Sequence, residues 1–169
     1  MASVMSTLPA LDLPLPALSD TEALGRALAK LLRAGDLVAL RGDLGAGKTA
    51  LARAVIRALP AAPGATEDPA QEEVPSPTFT LVQAYERDPA EVWHFDLYRL
   101  ERAEEVHELG IEDALEGGIA LIEWPERMEA LLPEDRLDVT LRFEADGRSR
   151  RAHLQGGGDW PARLAELAA

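Results

Sequence analysis

The residues most able to do chemistry are clustered in "GDLGAGKT", residues 42–49. Gly42, Gly47, Lys48 and Thr49 fit G-x-x-x-x-G-K-[ST], a spacing that suits a loop wrapped around phosphate. Gly45 and Gly47 free the backbone to turn several N–H groups onto phosphate oxygens, and a following helix would add its positive end. In that reading Gly42, Asp43, Leu44, Gly45, Ala46, Gly47, Lys48, Thr49 and Ala50 form the nucleotide cradle. Lys48 reaches the β- and γ-phosphates and the Thr49 hydroxyl ligates Mg²⁺. Two further acids end apolar runs, Asp96 in "VWHFD" and Glu123 in "IALIE". Carboxylates at strand ends beside such a loop can hold the metal or orient an attacking water. "SPTFT" (76–80) supplies hydroxyls, Thr78 among them, of the kind that sense a γ-phosphate in switch proteins or simply open a strand. His94 alone reads as a packed strand residue, and Trp124 as core or an exposed contact. No N-K-x-D segment reads guanine, so ATP is the expected nucleotide.

The elements that must position these groups follow from periodicity. "DLVAL" (36–40) reads as a buried strand entering the loop, and "KTALARAVIRAL" (48–59) as a helix that Pro60 stops. An earlier helix is expected from Ser19, where "SDTE" has capping-box spacing, through Leu32 to a stop at Gly35. "TFTLVQAY" (78–85) and "EVWHFDLY" (91–98) read as strands joined by "ERDPA", "ERAEEVHEL" as an acidic helix ended by Gly110, and "IEDALEG" as a second short helix. "GIALIEW" (118–124) is another buried strand. "RLDVTLRFE" alternates as a half-buried antiparallel strand, "ADG" turns it into a partner, and "DWPARLAELAA" closes the chain as a helix. The expected fold is α/β: a three-layer P-loop NTPase with a mixed, mostly parallel sheet between helices and an antiparallel hairpin late in the chain. Residues 1–12 are expected as a loose leader and 13–169 as one domain, with a flexible Pro/Ala/Glu-rich loop at 60–74.

Composition narrows the function. The 169 residues carry a net charge of −13 and no cysteine, and arginines outnumber lysines fifteen to two. The charge disfavours direct nucleic-acid binding, and "RSRR" (148–151) is short enough to be the solvated face of a hairpin. The absence of thiols suits a cytoplasmic protein, and no apolar run approaches a membrane span.

"GDLGAGKT", "SPTFTLV", "HFDLYRL", "ELGIED" and "IEWPER", in this order, resemble the bacterial TsaE (YjeE) family over residues 13–145. The resemblance implies a slow, Mg²⁺-dependent ATPase needed with TsaD and TsaB to form N6-threonylcarbamoyladenosine at position 37 of tRNAs reading codons that begin with adenine. It implies ATP and Mg²⁺ as cofactors and tRNA met only through the partners. It further implies Lys48 and Thr49 on phosphate and metal, Glu123 as the Walker-B-like acid, Asp96 as required for activity and "SPTFTLV" as a switch. Thr21 or Asp20 would lie near the nucleotide. Ala50 departs from the second threonine many members carry there. A small-molecule P-loop kinase and a nucleotide-dependent binding module without turnover are the competing readings.

Overall fold

The computed structural model describes residues 10–169. Seven strands form one sheet: β1 (Leu11–Leu15), β2 (Leu37–Arg41), β3 (Val82–Tyr85), β4 (Val92–Asp96), β5 (Ile119–Glu123), β6 (Leu137–Phe143) and β7 (Arg150–Gly156). Their order is β1-β7-β6-β2-β5-β4-β3. The four central strands β6, β2, β5 and β4 are mutually parallel, and β3, β7 and β1 join antiparallel at the edges.

Strands covered on both faces should be apolar, and β2 and β5 are so up to their last residues, Arg41 and Glu123. Val38, Leu40, Ile119 and Leu121 join the core shared with helices α1 (Leu18–Ala29), α2 (Lys48–Ala58) and α4 (Trp160–Ala168). The intervening Leu37, Ala39, Ala120 and Ile122 point the other way, onto Val106, Met128 and helix α3 (Ile111–Gly117). These two cores make the three layers expected of the α/β fold. β6 alternates instead: Leu137, Val139 and Leu141 are buried, while Phe143, at 41% exposed, lies beneath Arg150 with its guanidinium 3.9 Å from the ring centroid. β6 is antiparallel to β7 as the alternation suggests, and parallel to β2 on its other edge.

Several boundaries differ from expectation. Residues 1–9 of the expected leader lie outside the described residues, and Leu11 and Asp12 already belong to β1, paired with Leu154 and His153. Helix α1 begins before Ser19: Ala17 is its cap, and the Asp20 carboxylate accepts the Ala17 N–H at 2.8 Å. It ends at Ala29, short of Leu32. The strand expected from Thr78 starts only at Val82, because Leu81 takes a positive φ of 68° and its N–H turns back to the Pro77 carbonyl. The acidic segment Ala103–Leu109 is a 3-10 helix. Only Val106 there is buried, and glutamates four apart repel along an α-helix. Within 60–74, Pro69–Gln71 forms a 3-10 turn, and Arg57 and Arg53 of α2 donate to the Glu72 and Val74 carbonyls at 3.0 and 2.9 Å.

Candidate nucleotide and metal site

The loop from β2 to α2 is shaped by its glycines. Gly42 has φ 147°, and a Cβ there would stand 2.6 Å from the Leu141 carbonyl oxygen, so only glycine lets the loop pass β6 this closely. Gly47, at φ 107°, caps α2 without any side chain over the helix's first N–H groups. Those donors and the positive end of the helix suit an anion.

Lys48 is the first residue of α2, and its side chain folds back across the loop. The ammonium donates to the carbonyls of Gly42 and Asp43, and lies 4.1 Å from the Trp124 ring centroid. Burial pushes the amine below its ordinary value, opposed by the nearby charges of Glu123, Glu126, Asp96 and Asp43. A cation held out of water beside the N–H groups that open α2 would gain from an incoming polyanion. Leu44, 80% exposed, can offer the loop only its backbone, whereas Ala46 is buried.

Thr49, one residue on, donates its hydroxyl to Glu123 Oε1 at 2.8 Å. Glu123 Oε2 meets His94 Nε2 at 2.7 Å. On the next strand Asp96 is the register partner of Glu123, so both acids end parallel strands at the same level. Asp96 serves a different neighbourhood. Its Oδ2 accepts from the Thr78 hydroxyl at 3.3 Å, and its Oδ1 accepts from the Tyr98 N–H at 3.0 Å. Ser76 and Thr78 share a hydrogen bond of 2.7 Å. The structure thus brings Lys48, Thr49, Glu123, Asp96 and Thr78 to the C-terminal ends of β2, β5 and β4, where open α/β sheets bind ligands.

These groups suit Mg²⁺. A hydroxyl has one donor and two lone pairs, so Thr49 can donate to Glu123 and still offer oxygen to a cation. Magnesium keeps most of its waters and needs few protein ligands beside substrate phosphates. Among the described residues no group of three or more His, Asp or Glu side chains is placed to hold a metal ion. Bordering the loop, a cavity of about 220 Å³ is lined by Leu15, Thr21, Gly47, Ala50, Arg148 and Arg150 among others. Thr21 and Ala50 therefore border the same space, whereas Asp20 is engaged with the helix cap.

Sequence reasoning gave three participants no role in the site. His94 is wholly buried against Glu123 instead of simply filling the core. Trp124 takes a left-handed backbone, φ 57°, which aims its ring at Lys48. Arg150 of "RSRR" donates to the Gly45 carbonyl at 3.2 Å. Each contact joins strands or loops distant in the chain, so no local spacing marks it.

The family model described as "Threonylcarbamoyl adenosine biosynthesis protein TsaE" matches residues 15–152. A protein of Rickettsia felis named "tRNA threonylcarbamoyladenosine biosynthesis protein TsaE" is 40% identical over 72% of this chain and 67% of its own length. The similarly named protein of Bacillus subtilis is 34% identical, covering 75% of this chain and 74% of its own. The crystal structure of Bacillus subtilis YdiB superposes with a TM-score of 0.72 over 94% of this chain and 93% of that one, at 24% identity, and so shares the fold. Among the described residues no helix is long and apolar enough to cross a membrane.

Proposed function

The chain belongs to the TsaE family of threonylcarbamoyl adenosine biosynthesis proteins, and we propose that it acts there as a Mg²⁺-dependent ATPase. The observation that carries this reading is the Thr49–Glu123 hydrogen bond, placed beside a buried lysine at the mouth of a glycine loop. Lys48 would neutralise the outer phosphates of ATP, and the N–H groups opening α2 would hold their oxygens. Thr49 would ligate Mg²⁺ directly, and Glu123 would orient the waters around it. Bound there, the cation supplies charge stabilisation to the phosphoryl group. Asp96 holds Thr78 and the turn at Tyr98, and so ties the 76–81 segment to the site.

Arg150 reaches the loop but is engaged by the Gly45 carbonyl and the Phe143 ring instead of standing free as a finger, so turnover of the isolated chain should be slow. In the proposal TsaD and TsaB complete the site, and the ATP-bound state of the 76–81 segment favours their docking. The net charge of −13 leaves tRNA contact to those partners. The decisive experiment reconstitutes tRNA modification with TsaD and TsaB, with and without this chain and its Lys48→Ala variant. Modification that needs the wild type and fails with Lys48→Ala supports the reading. Modification indifferent to both sinks it.

A further inference from the structure

The His94 imidazole is left unused by the roles assigned above, although it is 0% exposed. Its Nε2 is 2.7 Å from Glu123 Oε2, and its Nδ1 is buried with no hydrogen-bond partner. We infer that His94 is a positioning residue, fixed as the Nε2–H tautomer, which holds the Glu123 carboxylate so that Oε1 stays on Thr49. The inference rests on the reading of Thr49 and Glu123 as the metal site.

A carboxylate can only accept, so the proton between the two groups belongs on Nε2. The other tautomer would set a nitrogen lone pair against a carboxylate oxygen and bury an Nδ1–H with nothing to receive it. An aliphatic side chain would fill the same space without an orphaned nitrogen, so packing alone does not account for the residue. The geometry is rigid. His94 pairs in register with Leu121, which places Glu123 two residues further along the adjacent strand and on the same face. Glutamate has three side-chain torsions to restrain. Without His94 only the Thr49 hydroxyl would hold it, and that hydroxyl must also face the cation. Partners that orient the groups around a metal are typically worth ten- to a hundred-fold, as an order of magnitude, in metal affinity or activity.

Two measurements test this. Nitrogen-15 NMR of the histidine side chains in the free protein should show His94 as Nε2–H, with a solvent-protected proton whose resonance moves in Glu123→Gln. An Nδ1–H tautomer would overturn the inference. Mg²⁺ titrations of binding to a non-hydrolysable ATP analogue should then rank the variants. His94→Leu should need roughly ten- to a hundred-fold more Mg²⁺, with analogue affinity in chelator unchanged. His94→Gln, whose amide nitrogen reaches the Nε2 position, should recover most of the loss. A packing role would rank Leu at or above Gln, and that order overturns the inference. Should His94→Leu fail to fold, His94→Asn replaces it, because its shorter amide falls at Nδ1 and cannot reach Glu123. If the wild type binds the analogue without regard to Mg²⁺, the metal reading fails, while the tautomer still decides whether His94 holds Glu123.

Discussion

Asp96 and Glu123 are register partners on adjacent parallel strands, yet their carboxylates serve different parts of the chain. Glu123 is bonded to Thr49 of the glycine loop, and Asp96 to Thr78 and the Tyr98 N–H. Two acids at one level of the sheet thus divide into one bonded to Thr49, at the proposed metal position, and one that holds the 76–81 segment.

Their removal should therefore have distinguishable effects. Glu123→Ala is expected to raise the Mg²⁺ requirement and cut ATP turnover by at least tenfold, as an order of magnitude, since hydrogen bonds to a charged group contribute about 1.5–3 kcal/mol. Nucleotide affinity in chelator should survive. Asp96→Ala should also slow turnover, and in addition should speed amide exchange at Thr78–Leu81 in the free protein. Steady-state kinetics and hydrogen exchange on both variants check this. Identical exchange patterns would remove the division of labour.

A second prediction concerns stability. Arg163 of α4 makes a two-pronged contact with Asp36, at 2.6 and 3.0 Å, and also donates to the Leu31 carbonyl at 3.2 Å. Asp36 accepts the Arg33 N–H at 2.7 Å as well, so this pair pins the last helix to the turn before β2. Arg163→Ala would leave a buried carboxylate unpaired and should destabilise the fold by about 3–5 kcal/mol. Urea denaturation measures it. An Arg163→Met, Asp36→Leu double variant should recover much of the loss, since neither buried charge is then stranded.

Tyr85 gives the pH dependence. Its hydroxyl is buried without a partner, and burial first, then the nearby Glu72 charge, raises its pKa above 10.0. In the window above 10.0 the unfolded chain releases this proton while the folded chain keeps it, so native stability contributed here falls as pH rises. Tyr85→Phe removes the titration and the orphaned hydroxyl together. The variant should be about 1 kcal/mol more stable at neutral pH, and its advantage should grow above pH 10.0. Thermal unfolding across that range checks both the offset and its sign.

Much of the site was legible because its signals are local. The glycine loop, the strand before it and the helix after it occupy one continuous stretch, and Asp96 and Glu123 each close an apolar run. β1 was not legible. It contains Pro14, which argues against a strand, and it exists because Leu11–Leu15 pairs with a strand some 140 residues later, on the edge where proline is tolerated. The link from His94 to Glu123 depends on the β4–β5 register, which nothing in either segment specifies. The early start of α1 is hidden because Ser19 and Glu22 carry capping-box spacing, whereas the carboxylate that reaches back to the cap is that of Asp20, onto Ala17. Of the strand expected over 78–85, the first four residues are loop, because a positive φ at Leu81, unusual for a bulky residue, keeps the ladder from starting before Val82.

That turn leaves Phe79 outside, and the last prediction follows from its exposure. Phe79 is 79% exposed, with the Arg99 guanidinium 4.5 Å from its ring centroid, and Tyr98, next to Arg99 in the chain, is 49% exposed. Tyr98 lies 5.0 Å from the Trp124 ring, which in turn faces Lys48. Exposed aromatics flanked by arginines have the composition of binding hot spots, and these adjoin the residues proposed to hold phosphate. In the proposed function this face is where TsaD and TsaB meet the 76–81 segment. Phe79→Ala should leave stability within about 0.5 kcal/mol, since the ring packs little in the free chain. Its affinity for the partner pair in the presence of an ATP analogue should drop about thirty-fold, the equivalent of a 2 kcal/mol hot spot. Basal ATP turnover should change little, because the ring contacts neither Lys48 nor the acids. Calorimetric titration of TsaD–TsaB into wild type and variant decides the matter. Unchanged partner affinity would move the docking face away from this segment.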